Sequence, residues 1–459
     1  MLITPWLDTA VPLYALEIAG ALRAAGHDIV FLFDSAQFAL NAVSSRSHAA
    51  FRDLHHEIAK LGEVHDVTAQ TPDAAPWPGD LKKLAYENAV WRTKGEVLAD
   101  AFLAEHPELP ADLAAHGAKV HAALQATHAD WLLMPGGVFG VSGLYMASAQ
   151  SLGLDFTTFD SGPGRFFTAH RGIAAHSSDL PDAFARLAEQ CTAQPQMVEY
   201  VHAAAAELFR EREEMRDHFQ FQTAPRSTAS ASAADLLICL NYRADTAALF
   251  RNRCFATVEE WVVSVLDWAA ARGLRIRIRP HPVQRRSHVR STDQLDQIIH
   301  ARDPEGRTAE WIAPDAPVNS YDLIESSRVV LPFTSTVGIE AAYLGRPVVL
   351  AANNYYESLG FATLCSTPGE YFAKIERALA GEAAPSPAQR EAAARCLYLA
   401  VRCRSVHSLF TPQPADFAEW VKIPSGELWS RPETADLLHS LTNRIPLTWV
   451  RHERRRAAI

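Results

Sequence analysis

Two segments of the chain carry residues whose types and spacing could do chemistry. Arg275–Pro282, Arg-Ile-Arg-Ile-Arg-Pro-His-Pro, predicts a strand that presents an Arg-Pro-His-Pro corner at its C-terminal end. Further along, Pro332–Val349 predicts a strand, a hydroxyl-rich turn and a helix. Ligands of open α/β sheets bind outside the carboxyl ends of the strands, so we expect both tips at one cleft. His281 and the free N–H groups of a helix that opens at Ser335–Val337 could hold a phosphate there, which indicates an enzyme with a nucleotide-activated donor.

The histidine of the first segment stands between two prolines. Pro280 and Pro282 restrict the backbone and present the imidazole of His281 from a stiff corner. A histidine in that place can bond a donor phosphate or give a proton to a departing one. The alternative is a structural histidine whose hydrogen bonds are satisfied within the fold. The flanking prolines favour the functional interpretation, with Pro282 as part of the donor site.

Three arginines alternate with apolar residues along the strand before this corner: Arg275, Arg277 and Arg279. The functional interpretation is a cationic cleft wall, and the alternative is an edge strand that faces water. We expect the second for Arg275. Arg279 stays open between the two and is a candidate donor-binding residue.

The turn from Thr334 to Gly338 supplies hydroxyls and backbone N–H groups at a helix start, where the helix dipole favours an anion. Ser335, Thr336 and Gly338 are therefore candidate donor-binding residues. N-capping by Ser335 or Thr336 would give the same sequence, and both interpretations can hold together. Glu340 lies in the first helical turn, where a carboxylate is stabilised in any case, and it completes this set of candidates.

A carboxylate follows the predicted strand Leu154–Phe159. Asp160 precedes Ser-Gly-Pro-Gly-Arg165, and we expect it on the cleft face of the other domain, as a nucleophile or a general base. The alternative is an aspartate that starts a turn. Gly136 and Gly137 follow the neighbouring strand and would let a ligand approach the backbone closely. Gly136, Gly137 and Arg165 are therefore predicted to line the acceptor side of the cleft.

Length and composition bound the class of protein. A chain of 459 residues favours two domains, and a formal net charge of −10 argues against general affinity for nucleic acid. No apolar run approaches the ~18–20 residues that span a bilayer, and the N-terminus lacks the basic start of a signal peptide, which predicts a cytoplasmic protein. Six scattered cysteines without a Cys-x-x-Cys pair are typical of buried small apolar residues rather than of a zinc site or disulfide framework.

Strand and helix patterns alternate in the first half of the chain and restart after Ala224–Ala233, a small polar segment that we predict to be a linker. The expected fold is α/β, with two Rossmann-like domains that face a cleft in the GT-B architecture. A mostly helical insertion is predicted at Ser35–His128, and helices at the C-terminus. The predicted domains are an acceptor domain at 1–223, a nucleotide-sugar domain at 235–400 and a helical tail at 401–459.

No Asp-x-Asp motif follows an apolar strand. A donor with one phosphate, such as a CMP-sugar, can lose its leaving group with the help of arginine, histidine and a helix N-terminus. Diphosphate donors more often recruit a divalent ion. We therefore expect a reaction without a metal and without a cofactor.

These features resemble the bacterial capsule and lipopolysaccharide glycosyltransferases that use CMP-Kdo or CMP-sialic acid. In such enzymes the His-Pro motif and the hydroxyl pair bind the CMP phosphate, which implies that role for His281, Ser335 and Thr336. The chain departs from the family at Asp160, where a doubled carboxylate before a glycine is usual. The resemblance covers roughly Asp235–Arg404 and rests on Asn241–Asp245 (with Asn241 as a donor-site residue), Trp261, His281-Pro282, Ser320-Tyr321, Ser335–Glu340 and Tyr355–Phe361.

The resemblance implies a Kdo-type transferase that builds a surface polysaccharide, capsule or O-antigen, on a glycan or glycolipid acceptor. Similarity to the β-Kdo enzymes implies net retention, with Asp160 as nucleophile and His281 assisting the departure of CMP. If the enzyme inverts, as sialyltransferases do, Asp160 would be the base that deprotonates the acceptor.

Three alternatives remain open at this point. One is a CDP-glycerol or CDP-ribitol phosphotransferase of the teichoic-acid type, whose usual Ser-Ser-x-x-x-Asp arrangement fits Ser335–Glu340 poorly. Another is a nucleotide-sugar 2-epimerase, which would require binding of UDP-GlcNAc. The third is a non-catalytic assembly subunit that retains the fold.

The segment Leu447–Arg456 joins an apolar patch to a basic cluster. Such a segment could rest on anionic lipid of the inner membrane, near a lipid-linked acceptor. The alternative is a solvated tail, which the shortness of the segment favours.

Overall fold

The computed structural model describes residues 1–3, 11–36, 54–56, 58–72, 77–138, 140–162, 165–216, 222–227, 232–286, 290–407 and 432–457. The chain divides into two compact units. The first comprises residues 1–89, 100–180 and 403–459, and the second comprises residues 90–99 and 181–402. The chain therefore enters the second unit twice, first with the short segment Val90–Ala99.

Strands and helices alternate along most of the described chain. The strands are β1 (Leu2–Ile3), β2 (Val30–Phe33), β3 (Glu63–Asp66), β4 (Trp131–Pro135), β5 (Asp155–Gly162), β6 (Arg165–His170), β7 (Ala234–Cys239), β8 (Ile276–Arg279), β9 (Ala309–Trp311), β10 (Ser327–Pro332), β11 (Val349–Leu350), β12 (Thr363–Leu364) and β13 (Val406–His407). The helices are α1 (Val11–Ala24), α2 (Leu81–Thr93), α3 (Ala99–Glu105), α4 (Leu109–Ala126), α5 (Gly140–Leu152), α6 (Leu180–Ala193), α7 (Pro195–Glu213), α8 (Val258–Ala270), α9 (Leu295–Arg302), α10 (Ser320–Glu325), α11 (Val337–Tyr343), α12 (Pro368–Leu379), α13 (Pro387–Leu397), α14 (Pro432–Asn443) and α15 (Leu447–Ala457).

The first unit contains two sheets. Strands β1, β2 and β3 form a parallel sheet in that order. The other sheet has the order β13-β6-β5-β4, in which β4 and β5 are parallel while the pairs β5–β6 and β6–β13 are antiparallel. The predicted helical insertion Ser35–His128 contains α2, α3 and α4, but the strand β3 lies within the same bounds and was not predicted. Glu63–Asp66 has one apolar residue in four, which is too little for a strand pattern.

The second unit is built on a fully parallel sheet with the order β10-β7-β8-β9. Strands β7 and β10 are mostly apolar and buried, as expected where helices cover both sides of a parallel sheet. Trp261 of α8 is 1% exposed and donates from its indole nitrogen to the Tyr371 hydroxyl at 3.0 Å. Parallel sheets in both units confirm the predicted α/β class.

The Ser/Ala-rich segment that was predicted as a linker lies inside the second unit. Residues 228–231 of it lie outside the described residues. Arg226 is held by carboxylates of α7 and α10, since its guanidinium pairs with Glu213 at 3.1 Å and with Asp322 at 2.7 Å. This end of the segment is therefore fixed to its own unit.

The C-terminal helix α15 packs within the first unit, of which it is a part. Leu447 and Val450 are buried, so the apolar side of the predicted lipid-facing segment is covered by protein. Arg451 pairs with the buried Asp436 of α14 at 3.1 Å, and Arg455 is exposed. No described helix combines the length and the apolar character needed to cross a membrane.

All six cysteines are buried and none forms a disulfide, which confirms their interpretation as small apolar residues. Burial raises the pKa of the Cys239 thiol to about 12. Such a thiol stays protonated and unreactive near neutral pH.

Candidate functional site

The carboxyl ends of β7 and β10 are tied together in the second unit. The side-chain oxygen of Asn241, two residues after β7, accepts a hydrogen bond from the Thr334 amide at 3.0 Å. The Phe333 amide also donates to the Cys239 carbonyl at 3.1 Å. Because β8 lies beside β7 in the same parallel sheet, His281 follows a neighbouring strand at the same edge. The predicted donor-binding segments therefore share one sheet edge.

His281 is half-buried at the start of the short 3₁₀ helix Pro282–Arg285. Its Nδ1 accepts the amide hydrogen of Val283 at 3.1 Å, so the neutral ring carries its proton on Nε2. Burial, together with the positive charge of Arg279, lowers the pKa of His281 to about 4. The imidazole is neutral at pH 7 and acts there as a hydrogen-bond donor through Nε2 rather than as a source of a proton.

The arginines of β8 do not face water as an edge strand. Strand β8 lies between β7 and β9, so the edge-strand interpretation is wrong for Arg277 and Arg279, each of which is 4% exposed. Arg279 donates to the Ala313 carbonyl at 2.6 Å and to the Thr223 hydroxyl at 3.0 Å. Arg275 is exposed, as expected. The sequence showed no clear pattern for the short strand β9. Because β9 pairs with β8, strand β8 is not at the edge of the sheet.

The turn before α11 shows that the capping interpretation holds for Ser335. Its hydroxyl accepts the Val337 amide at 3.2 Å, and the Tyr356 hydroxyl donates to the Ser335 carbonyl at 2.8 Å. Thr336 occupies the N-cap position without a side-chain capping bond. Among the described residues, the amides of Ser335 and Thr336 have no acceptor, so two N–H groups of this turn are available to an anion.

Two further candidates in α11 have contacts within the protein. Glu340 is 3% exposed and pairs with Arg212 of α7. A Cβ on Gly338 would collide with the Tyr356 hydroxyl and approach Pro332 Cγ to 2.9 Å. In this structure the carboxylate fixes α11 to α7, and the glycine makes room for Tyr356.

Two charged residues at this edge were missed by the sequence analysis as individual candidates. Arg243 is 4% exposed, lies 5.3 Å from the centre of the Phe333 ring and donates to the Glu96 carboxylate. Asp245 is exposed, and its Oδ1 accepts the Ala247 amide at 3.1 Å. Their position directly after β7 was the signal that could have found them.

The remaining predicted residues belong to the first unit. Asp160 is half-buried and lies within β5, opposite Phe167 of β6, because the antiparallel pairing extends β5 to Gly162. The expectation that the strand ends before Asp160 is therefore wrong. Arg165, at the start of β6, donates to the Ser405 hydroxyl at 3.4 Å.

The glycine pair after β4 has conformations that suit glycine. Gly136 has φ +68° and donates its amide hydrogen to the Phe159 carbonyl at 2.8 Å. Gly137 has φ +91°, and a Cβ there would meet the Met146 side chain at 2.6 Å. The backbone turn and the packing of α5 account for both glycines.

Within the part of the chain that the structure describes, no group of three or more His, Cys, Asp or Glu side chains could hold a metal ion. Besides the exposed carboxylate of Asp245, the edge carries amides, hydroxyls, a neutral imidazole and a guanidinium. Such groups suit an anionic ligand.

No family model matches the chain, and no curated protein does. Among solved structures, the chain is similar to the β-Kdo 2,7 transferase KpsC of Thermosulfurimonas dismutans, with 16% identity and a TM-score of 0.36 over 68% of this chain and 88% of that one. It is also similar to the β-Kdo 2,4 transferase of the same KpsC, with 14% identity and a TM-score of 0.34 over 56% of this chain and 76% of that one. The UDP-GlcNAc 2-epimerase of Neisseria meningitidis shares 9% identity with a TM-score of 0.27, over 88% of this chain and 99% of the epimerase. At these values the description of the fold rests on the strand order and register of the chain itself.

Proposed function

We propose that the protein is a glycosyltransferase of bacterial surface-polysaccharide synthesis that transfers an acidic sugar, Kdo, from CMP-Kdo to a glycan or glycolipid acceptor. The observation that carries the proposal is the common sheet edge of Asn241, His281 and the Ser335–Thr336 turn. It offers donors to an anion from a side chain and from free backbone amides. The resemblance of these same segments to CMP-sugar transferases supports the choice of donor.

In this proposal the CMP phosphate is bound by hydrogen bonds to neutral groups. The Nε2–H of His281 and the amides of Ser335 and Thr336 donate to phosphate oxygens. CMP leaves with its electron pair as a phosphate anion, and these donors stabilise the negative charge that develops. Since His281 of the ligand-free protein is neutral at pH 7, its part in the departure of CMP is to donate a hydrogen bond rather than to transfer a proton.

The nucleophile in a retaining reaction is a carboxylate. Its oxygen would attack the anomeric carbon of the sugar as the bond to CMP breaks. The acceptor hydroxyl would then displace the carboxylate as its proton passes to the departed CMP phosphate or to water. Asp160 is our candidate from the first unit. Asp245 is a second candidate, because it is an exposed carboxylate at the same sheet edge as His281. In an inverting reaction Asp160 would serve as the base.

The first experiment is calorimetric binding of CMP, CDP, UDP and GDP to the wild type and to His281→Ala, without added metal. Preference for CMP, weakened by the substitution, is the expected result, and radiolabelled transfer from CMP-Kdo would follow. Preference for CDP would favour the alditol phosphotransferase, and preference for UDP the epimerase. Either preference, or indifference to His281, would overturn the proposal.

A further inference from the structure

A buried arginine with unsatisfied donors lies beside the candidate donor site. Arg243 follows β7 and is 4% exposed, with its guanidinium 5.3 Å from the centre of the Phe333 ring. One terminal nitrogen, Nη2, donates to Glu96. Nε and Nη1 are buried and have no hydrogen-bond partner among the described residues. Two of the three nitrogens of this planar cation are thus left without an acceptor among the described residues.

Glu96 holds this arginine in a fixed orientation. Its Oε1 accepts from Arg243 and from Asn252, the latter at 3.0 Å, and its Oε2 accepts from the Val258 amide at the start of α8 at 2.7 Å. Glu96 is itself 7% exposed. Glu96 therefore neutralises Arg243 through Nη2 and leaves Nε and Nη1 without an acceptor among the described residues.

The backbone around Glu96 is held by hydrogen bonds, as the Glu96 carboxylate is. The amides of Glu96 and Val97 both donate to Asp293, at 2.7 Å and 3.1 Å. Gly95 leaves no room for a Cβ, which would collide with Asp293 and Thr292. The position of the Glu96 side chain is therefore set by its backbone, and Arg243 has little freedom to turn away.

A hydroxyl with the same deficit stands next to Phe333. Thr334 is 6% exposed, and its Oγ1 is buried without a partner among the described residues, although its amide is bonded to Asn241. A buried polar group that makes no hydrogen bond destabilises the folded state. Such groups are few in folded proteins, and each indicates strain, a catalytic role or a missing water or ion. Three such atoms belong to Arg243 and Thr334, and the turns that carry these two residues are joined by the bond between Asn241 and the Thr334 amide.

We propose that Arg243, positioned by Glu96, binds an oxoanion of the donor through an N–H group that Glu96 leaves unsatisfied, and that the Thr334 hydroxyl donates to the same anion. A guanidinium presents paired N–H groups that match a carboxylate or a phosphate. On the proposed function, on which this inference rests, the anion is either the carboxylate of the acidic sugar or the phosphate of CMP. Both have the same recognition chemistry, and separate probes distinguish them.

The test is isothermal titration of inorganic phosphate, CMP and free Kdo into the wild type, Arg243→Gln, Arg243→Lys and Thr334→Val. We expect Arg243→Gln to weaken binding of at least one anion by about tenfold or more, and Arg243→Lys to weaken it less. Thr334→Val leaves the charge in place and should weaken the same anion by a smaller factor. Loss of phosphate and CMP binding with retained Kdo binding assigns the phosphate, and the reverse assigns the carboxylate.

Arg277→Gln is the matched control, because Arg277 is equally buried but each of its three guanidinium nitrogens has a protein partner, including Glu310 at 3.0 Å. It should lower the melting temperature without changing anion affinity in the folded protein. Wild-type affinity in Arg243→Lys and Thr334→Val, both folded by circular dichroism, overturns the inference even if Arg243→Gln unfolds. CMP binding that depends on His281 but not on Arg243 leaves the proposed function standing and sinks this inference. Phosphate binding that depends on Arg243, in a protein without preference for CMP, supports this inference and contradicts the proposed function.

Discussion

The side-chain oxygen of Asn241 accepts the amide hydrogen of Thr334 at 3.0 Å and joins the turn after β7 to the turn after β10. Asn241 is 8% exposed, so water competes little for this bond. The same two turns carry Arg243 on one side and Ser335 on the other. The spacing of the candidate donor-binding groups therefore depends on a side chain as well as on the sheet.

Replacing Asn241 by alanine should loosen this edge. The Thr334 amide would be left buried without an acceptor, which predicts a loss of about 1–3 kcal/mol in the free energy of unfolding. Urea denaturation of Asn241→Ala measures it, with Asn241→Asp as the control that keeps an acceptor oxygen. Equal stability of the alanine variant and the wild type would contradict the role assigned to this bond.

The role of His281 can be separated into donation of a hydrogen bond and donation of a proton. Glutamine places an amide N–H near the position of Nε2 but cannot titrate, so His281→Gln should bind CMP more tightly than His281→Ala. Because burial and Arg279 lower the pKa of His281 to about 4, turnover by His281→Gln should also exceed that of the alanine variant. Equal loss of turnover in both, with CMP binding kept in the glutamine variant, would show that proton transfer is required.

Three histidines should make stability fall at acidic pH. Burial is the first cause that lowers the pKa of His281, His170 and His452 to about 4. Their unfolded pKa is about 6.5, so between these values the unfolded chain binds more protons than the folded one. Stability is therefore complete above about pH 6.5 and declines as the pH falls towards 4. Unfolding free energies measured at steps across this range check the decline, and His281→Ala should show a shallower slope than the wild type.

Gly338 should be sensitive to the smallest substitution. A Cβ there would collide with the Tyr356 hydroxyl, so Gly338→Ala is expected to destabilise the protein by about 1–3 kcal/mol. The double variant Gly338→Ala/Tyr356→Phe removes the nearest atom and should recover part of the loss in thermal unfolding. Failure of the second substitution to restore any stability would show that the strain lies elsewhere.

Replacing each candidate carboxylate by asparagine in turn distinguishes Asp160 from Asp245. If Asp160 is the nucleophile or base, Asp160→Asn should lower turnover by a factor of at least about 10² while CMP binding persists, since a reacting group is lost. If Asp245 is the nucleophile, Asp245→Asn should show that loss instead. Transfer assays on both variants, with mass spectrometry of the denatured protein for a covalent sugar adduct, decide between them.

Apolar patterns predicted the central strands of the second unit well, and single residues explain where they failed. Strands β7, β8 and β10 lie within one or two residues of their predicted bounds, because each is a continuous or alternating apolar run. Asp160 was expected after its strand, since antiparallel pairing with β6 does not show in a local pattern.

The ion-pair partners of the residues at the candidate site could not be predicted from the sequence. Glu96 precedes Arg243 by 147 residues, and Arg212 precedes Glu340 by 128. No spacing rule connects charges so far apart, so the burial and pairing of both acidic residues required the structure. The types of residue at the strand ends were predictable, and their satisfied or unsatisfied hydrogen bonds were not.

The position of Val90–Ala99 in the chain limits how the second unit can be expressed by itself. Expressed from residue 181 onwards, the second unit would lack Glu96 and leave Arg243 as an unneutralised cation in its interior. It would also lose an acceptor at the first turn of α8. The second unit is thus encoded in two separate stretches of the gene, and a stand-alone version needs the ten-residue peptide grafted on or supplied in trans, as in a split protein.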